Sequence, residues 1–215
     1  MSDTGYSSTL SPNSDAGRFN EMMFVIQSAM SRLATTTLVK VLAVTNSGGV
    51  EPVGTVDVQP MVNQIDGLGN ATPHGTIYKL PYVRIQGGAN AIIIDPQVGD
   101  IGWAGFCSTD ISSVKATKGI ANPGSRRRFD WADGLFLGAM LGAAPAQYIQ
   151  FNDDGITIVS PTKVTLQAPE VHVEGDLTVS GDVTADGEVT GNGVALSTHV
   201  HGDVTSGSDD TGPPT

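Results

Sequence analysis

Apolar and polar residues follow two periods along this chain, and each period predicts a different element. Between Ser14 and Leu33 the residues Phe19, Met22, Met23, Ile26, Met30 and Leu33 recur at three- and four-residue steps. That spacing gathers them on one face of a helix, with Ser14 or Asp15 as its cap. Such a helix packs on its own domain or docks at an oligomer interface. Residues 1–14, rich in Ser, Thr, Gly and Pro, are expected to be mobile unless a partner holds them. From Thr35 the pattern becomes strand-like. Strands are expected at residues 38–44, 53–60, 76–80, 82–86, 91–94 and 101–107, with a Gly/Asn/Pro-rich loop at 65–75. Short strands with one long connection fit a small closed barrel of the oligonucleotide/oligosaccharide-binding (OB) type, with a small β-sandwich as the competitor. Closure also removes exposed strand edges.

Residues 112–142 resist a reading by period. Within them Arg126, Arg127 and Arg128 form a basic run that could meet a phosphate, but more often such a run is a solvated edge or a partner of carboxylates. From Tyr148 alternation becomes regular: Ile149, Phe151, Ile156, Ile158, Val164, Leu166, Val171, Val173, Leu177, Val179 and Val183 largely alternate with polar residues. Gly175, Gly181, Gly187 and Gly193 stand six apart, each of the first three followed by an acid, an aliphatic residue and Thr. A hexad array with a fixed turn residue is a solenoid signature. Its side chains are small, so one copy has a thin core against a backbone entropy cost of roughly 1–2 kcal/mol per residue. Three copies wound about one axis would bury Leu177, Val183 and Val189 against one another. A flexible Gly/Thr-rich linker is the bland alternative, and the β-branched alternation argues against it.

Composition supports an all-β chain: 27 glycines and only 6% aromatic residues. The lone Cys107 excludes an internal disulfide and reads as a packed thiol. Net charge is −11, and no Lys or Arg follows Lys163 while acids continue to Asp210. A body so acidic repels phosphate backbones, so no nucleic-acid partner is expected. There is no basic-then-apolar leader and no apolar run near the roughly 18 residues that span a bilayer, so a soluble product is expected.

The candidate chemistry is His199 and His201. In an extended strand, side chains two apart point to the same side, so both imidazoles can face one point. Two nitrogens are half or less of a transition-metal shell. Three chains on a shared axis supply six, an octahedral set that disfavours zinc. Neutral imidazoles are required, so acid should loosen such an apex. His74 and His172 are not expected to be ligands.

A barrel, a hexad shaft and a His-x-His before a Gly212-Pro213-Pro214 ending together resemble the central spikes of contractile phage tails, the baseplate assembly protein V-like family. The resemblance covers the whole chain in order of parts and is sharpest from Gly175 to Pro214. It implies an N-terminal arm and helix (1–34), an OB-fold-like barrel (35–147), an intertwined trimeric β-helix shaft (148–196) and an iron-binding apex (197–215). It implies a homotrimer with one iron ion per trimer, held octahedrally by His199 and His201 of three chains. It further implies contacts with the tail hub, baseplate and tube, transient contact with the host outer membrane, a place in the virion at the baseplate tip, and no enzymatic activity. The acidic stretch 202–210 departs from a simple glycine-rich cap, which bears on the apex fold. Two rivals differ in class. A receptor-binding fibre tip would need an exposed aromatic or polar groove near its end, and the last forty residues contain no Phe, Trp or Tyr, which weighs against sugar stacking. A metalloenzyme would join His199 and His201 to a carboxylate such as Asp203 and bind one metal per chain.

Overall fold

Four of the strands expected between residues 35 and 107 form and, with a strand at Gly134–Ala139 that the pattern does not predict, make one curled sheet. The structure is a computed structural model that describes residues 17–30, 33–66, 68–200 and 207. They fall into two units that divide between Pro161 and Thr162. The chain is mostly β. The larger unit begins with helix α1 (Arg18–Met30). It continues through β1 (Thr36–Thr45), β2 (Thr55–Pro60), a short ribbon of β3 (Gln64–Ile65) and β4 (Ala71–Thr72), and β5 (Ile77–Pro81). A second ribbon, β6 (Ile85–Gly87) with β7 (Asn90–Ile92), precedes β8 (Ile101–Phe106). Helix α2 (Ser112–Thr117) and a 3-10 turn (Trp131–Asp133) then lead into β9 (Gly134–Ala139) and the hairpin β10 (Tyr148–Asn152) with β11 (Gly155–Val159). The smaller unit holds only β12 (Thr190–Gly191) and β13 (Val194–Ala195) among its described residues.

The main sheet runs β5-β2-β1-β8-β9, with every pairing antiparallel. Its outer strands approach one another. Tyr82, just past β5, bridges Phe136 of β9 in parallel, and the Val83 N–H donates to the Phe136 carbonyl at 3.0 Å. Inside the curl lie Val39, Val41, Val56, Val58, Ile77, Leu80, Tyr82, Ala104 and Phe136. Each fully buried Val or Phe side chain contributes about 1.5–3 kcal/mol of burial free energy.

Two bulges decide which side chains enter this core. In β1 the pairing with β2 slips between Val41 and Ala43, so Leu42 is extra. The inward set therefore changes from Val39 and Val41 to Val44, and Leu42 turns outward. In β5 the pairs Val56–Leu80 and Val58–Ile77 span three residues opposite two. Lys79 takes up the difference with a left-handed φ of 58°, its N–H donating to the Asp57 carboxylate at 2.9 Å. Ile77 and Leu80 thus both point inward, while Tyr78 is pushed to the surface.

Candidate functional site

Among the described residues no strand lies between Val159 and Thr190, so the alternating hexads of that stretch pair with no strand of the same chain. Leu177 and Val183 are each 73% exposed and Val189 46%. Val164, Leu166, Val171, Val173 and Val179 are exposed as well. Period-two apolar patterning without a ladder among the described residues leaves these apolar side chains exposed in one copy.

The array ends in a tight hairpin, and that hairpin leads to the histidines. Asn192 and Gly193 both have positive φ, 49° and 80°, as the two central residues of a type I′ turn require. β12 and β13 flank it, with Thr190 opposite Ala195 and Gly191 opposite Val194. The Leu196 N–H donates to the Val189 carbonyl at 2.8 Å. The Glu188 carboxylate accepts from the Ser197 N–H at 3.0 Å and from the Ser197 hydroxyl. These bonds from Ser197 hold the Glu188 carboxyl below its usual range.

Of the two candidate ligands, His199 is described and His201 lies outside the described residues. His199 Nδ1 is 2.8 Å from the Leu196 carbonyl oxygen. A carbonyl only accepts, so Nδ1 carries the proton in this contact. In the neutral ring Nε2 then bears the lone pair, which is the arrangement of a metal-binding imidazole steadied from behind. No three metal-binding side chains of one chain converge among the described residues. His172 is exposed in the hexad region. His74 packs against Trp131 in the larger unit, its ring 5.4 Å away.

The basic run has a specific partner set. Arg127 Nε donates to Asp133 Oδ2 at 2.7 Å, and a terminal nitrogen bonds Asp133 Oδ1 and Asp110 Oδ1, each at 2.9 Å. Both carboxylates are buried. Asp110 also accepts from the Ser112 N–H and the Ser125 hydroxyl, and Asp133 from the Ile111 N–H. Hydrogen bonds from Ser112 and Ser125, with Arg127 nearby, lower the Asp110 pKa to about 2. The Arg127 guanidinium lowers that of Asp133. Of the alternatives for the arginine run, Arg127 is thus a partner of carboxylates. Arg126 and Arg128 are exposed.

The chain matches no protein-family model and no curated protein. Among the described residues no helix is long and apolar enough to cross a membrane.

Proposed function

We propose that this protein is the central spike of a contractile phage tail: a structural virion protein that acts as a homotrimer and pierces the host outer membrane when the sheath contracts. The observation that carries the reading is the hexad region. One chain exposes the apolar residue of each hexad and forms no ladder through residues 160–189. Three copies wound together would bury Leu177, Val183 and Val189 mutually and pair the backbone between chains. A shaft closed in that way has no free edge and resists bending.

The remaining parts fit the same object. The order β5-β2-β1-β8-β9, with a parallel contact between its outer strands, supports an OB-type barrel for residues 35–147. That barrel would seat the spike on the tail hub and tube. His199 and His201 from three copies would hold one iron ion through six imidazole nitrogens. When bound, the ion supplies a crosslink that gathers three copies at one point, and a filled shell offers no position to a substrate. The residues here position the ring: Leu196 accepts from His199 Nδ1, and Glu188 fixes Ser197 two residues earlier. Piercing then needs no covalent chemistry, because the sheath supplies the energy. The acidic charge disfavours nucleic acid as a partner. The protein's place is the baseplate tip of the virion, assembled in the host cytoplasm.

Tail particles assembled with a His199→Ala/His201→Ala chain provide the test. They should adsorb and contract normally while envelope puncture, read as potassium efflux from host cells, falls. Loss of adsorption would instead identify a receptor-binding fibre tip.

A further inference from the structure

We infer that the larger unit carries a separate binding site, an open aromatic cleft that takes a neutral saccharide. The cleft lies where the end of β2, the loop into β5 and the turn before β9 meet. Its volume is about 500 Å³, and Pro60, His74, Tyr78, Asp130 and Trp131 line it. That size falls within the range of small-ligand sites.

Each ring is placed there by a local feature. The bulge in β5 pushes Tyr78 outward and leaves it 67% exposed. Trp131 opens the 3-10 turn that Asp130 caps by accepting from the Ala132 N–H at 2.8 Å. Phe106 steadies the indole edge-on, 4.8 Å away at 72°. His74 leans on it at 5.4 Å and 53°, and its loop is pinned by the Gln59 side-chain amide, which donates to the His74 carbonyl at 2.8 Å. The indole is held rigidly yet stays 37% exposed, so it is positioned without being used to fill the core.

The chemistry of the lining selects the ligand. Among the described residues no Lys or Arg lines the cleft; the nearby Lys115 ammonium donates to the Ala132 carbonyl at 3.0 Å, and the chain carries −11, which disfavours phosphate-bearing ligands. The aromatic surface that Tyr78 and Trp131 leave exposed suits the C–H face of a sugar. The Asp130 carboxylate has more lone pairs than its cap uses, and with the Tyr78 hydroxyl and the His74 imidazole it can bond sugar hydroxyls. A proline-rich segment would also stack on such rings, but a proline residue offers no N–H to Asp130. OB-type barrels bind ligands over their second and third strands beside the loop between the fourth and fifth. β2, β5 and residues 107–133 are those elements here, a supporting point that rests on the barrel reading.

The test is titration of the full chain with two neutral tetrasaccharides, one of N-acetylglucosamine and one of glucose, by calorimetry and indole fluorescence. At least one should bind saturably, with Kd on the order of 1 mM or tighter. Tyr78→Ala and Trp131→Ala should each weaken binding about ten-fold or more. If Trp131→Ala loosens the fold, Trp131→Phe should keep the thermal midpoint and retain part of the affinity. No saturable binding of either sugar, undiminished binding by Tyr78→Ala, or binding only of a proline-rich peptide run in parallel would overturn the inference. Since the cleft lies within one chain, that failure would leave the spike reading standing.

Discussion

Arg127 shows how one side chain in a visible motif takes a role its neighbours do not share. Three arginines in a row read more often as a solvated edge or a partner of carboxylates than as a phosphate contact. The two carboxylates that decide the matter are six and seventeen residues away and meet Arg127 only through the fold. Arg127→Ala leaves both buried carboxylates without their cation and should lower the thermal midpoint by several degrees. Arg127→Lys should recover little of the loss, because an ammonium cannot make the forked contact. Arg126→Ala and Arg128→Ala should be nearly silent, since both residues are exposed. The pH dependence follows from Asp110. Its folded pKa, about 2, lies below the ordinary 3.8. Its contribution to stability is therefore full above the ordinary value and is lost as pH falls from about 4 to about 2. Thermal midpoints measured across that window should fall less steeply for Asp110→Asn than for the parent chain.

At the scale of elements, period two locates β1, β2, β5 and β8 to within a few residues, because each has one face toward the core. It does not reveal the bulges at Leu42 and Lys79, since the displaced residues are themselves compatible with a strand. It also passes over β9. There Gly134 and Gly138 interrupt the apolar run, and the strand's place is set by pairing with β8 and by the Tyr82–Phe136 bridge. The Asn192-Gly193 dipeptide is a strong hairpin signal. The hexad count registers only that the array stops there. The hexads themselves make the sharpest prediction for an element. Val183→Asp should prevent assembly, as it would place three charges against one another on the proposed axis, while Thr184→Asp, at a polar position, should be tolerated. Sedimentation velocity separates the outcomes. Equal assembly of both variants would mean that Val183 does not face a sibling chain.

For the whole molecule, the sheet of the larger unit has a core of its own and the hexad region does not. That contrast was legible in the small side chains of the hexads, which give one copy little apolar bulk to pack. The proposed ligand pair, His199 and His201, rests in the sequence on spacing alone. The structure adds the hydrogen bond from His199 Nδ1 to Leu196, while His201 lies outside the described residues. Native mass spectrometry joined to elemental analysis of the intact protein is the most direct check. A spike built this way gives a trimer carrying one iron per three chains, and the His199→Ala/His201→Ala chain gives a metal-free trimer. A stable single subunit, or one metal ion for every chain, would contradict it.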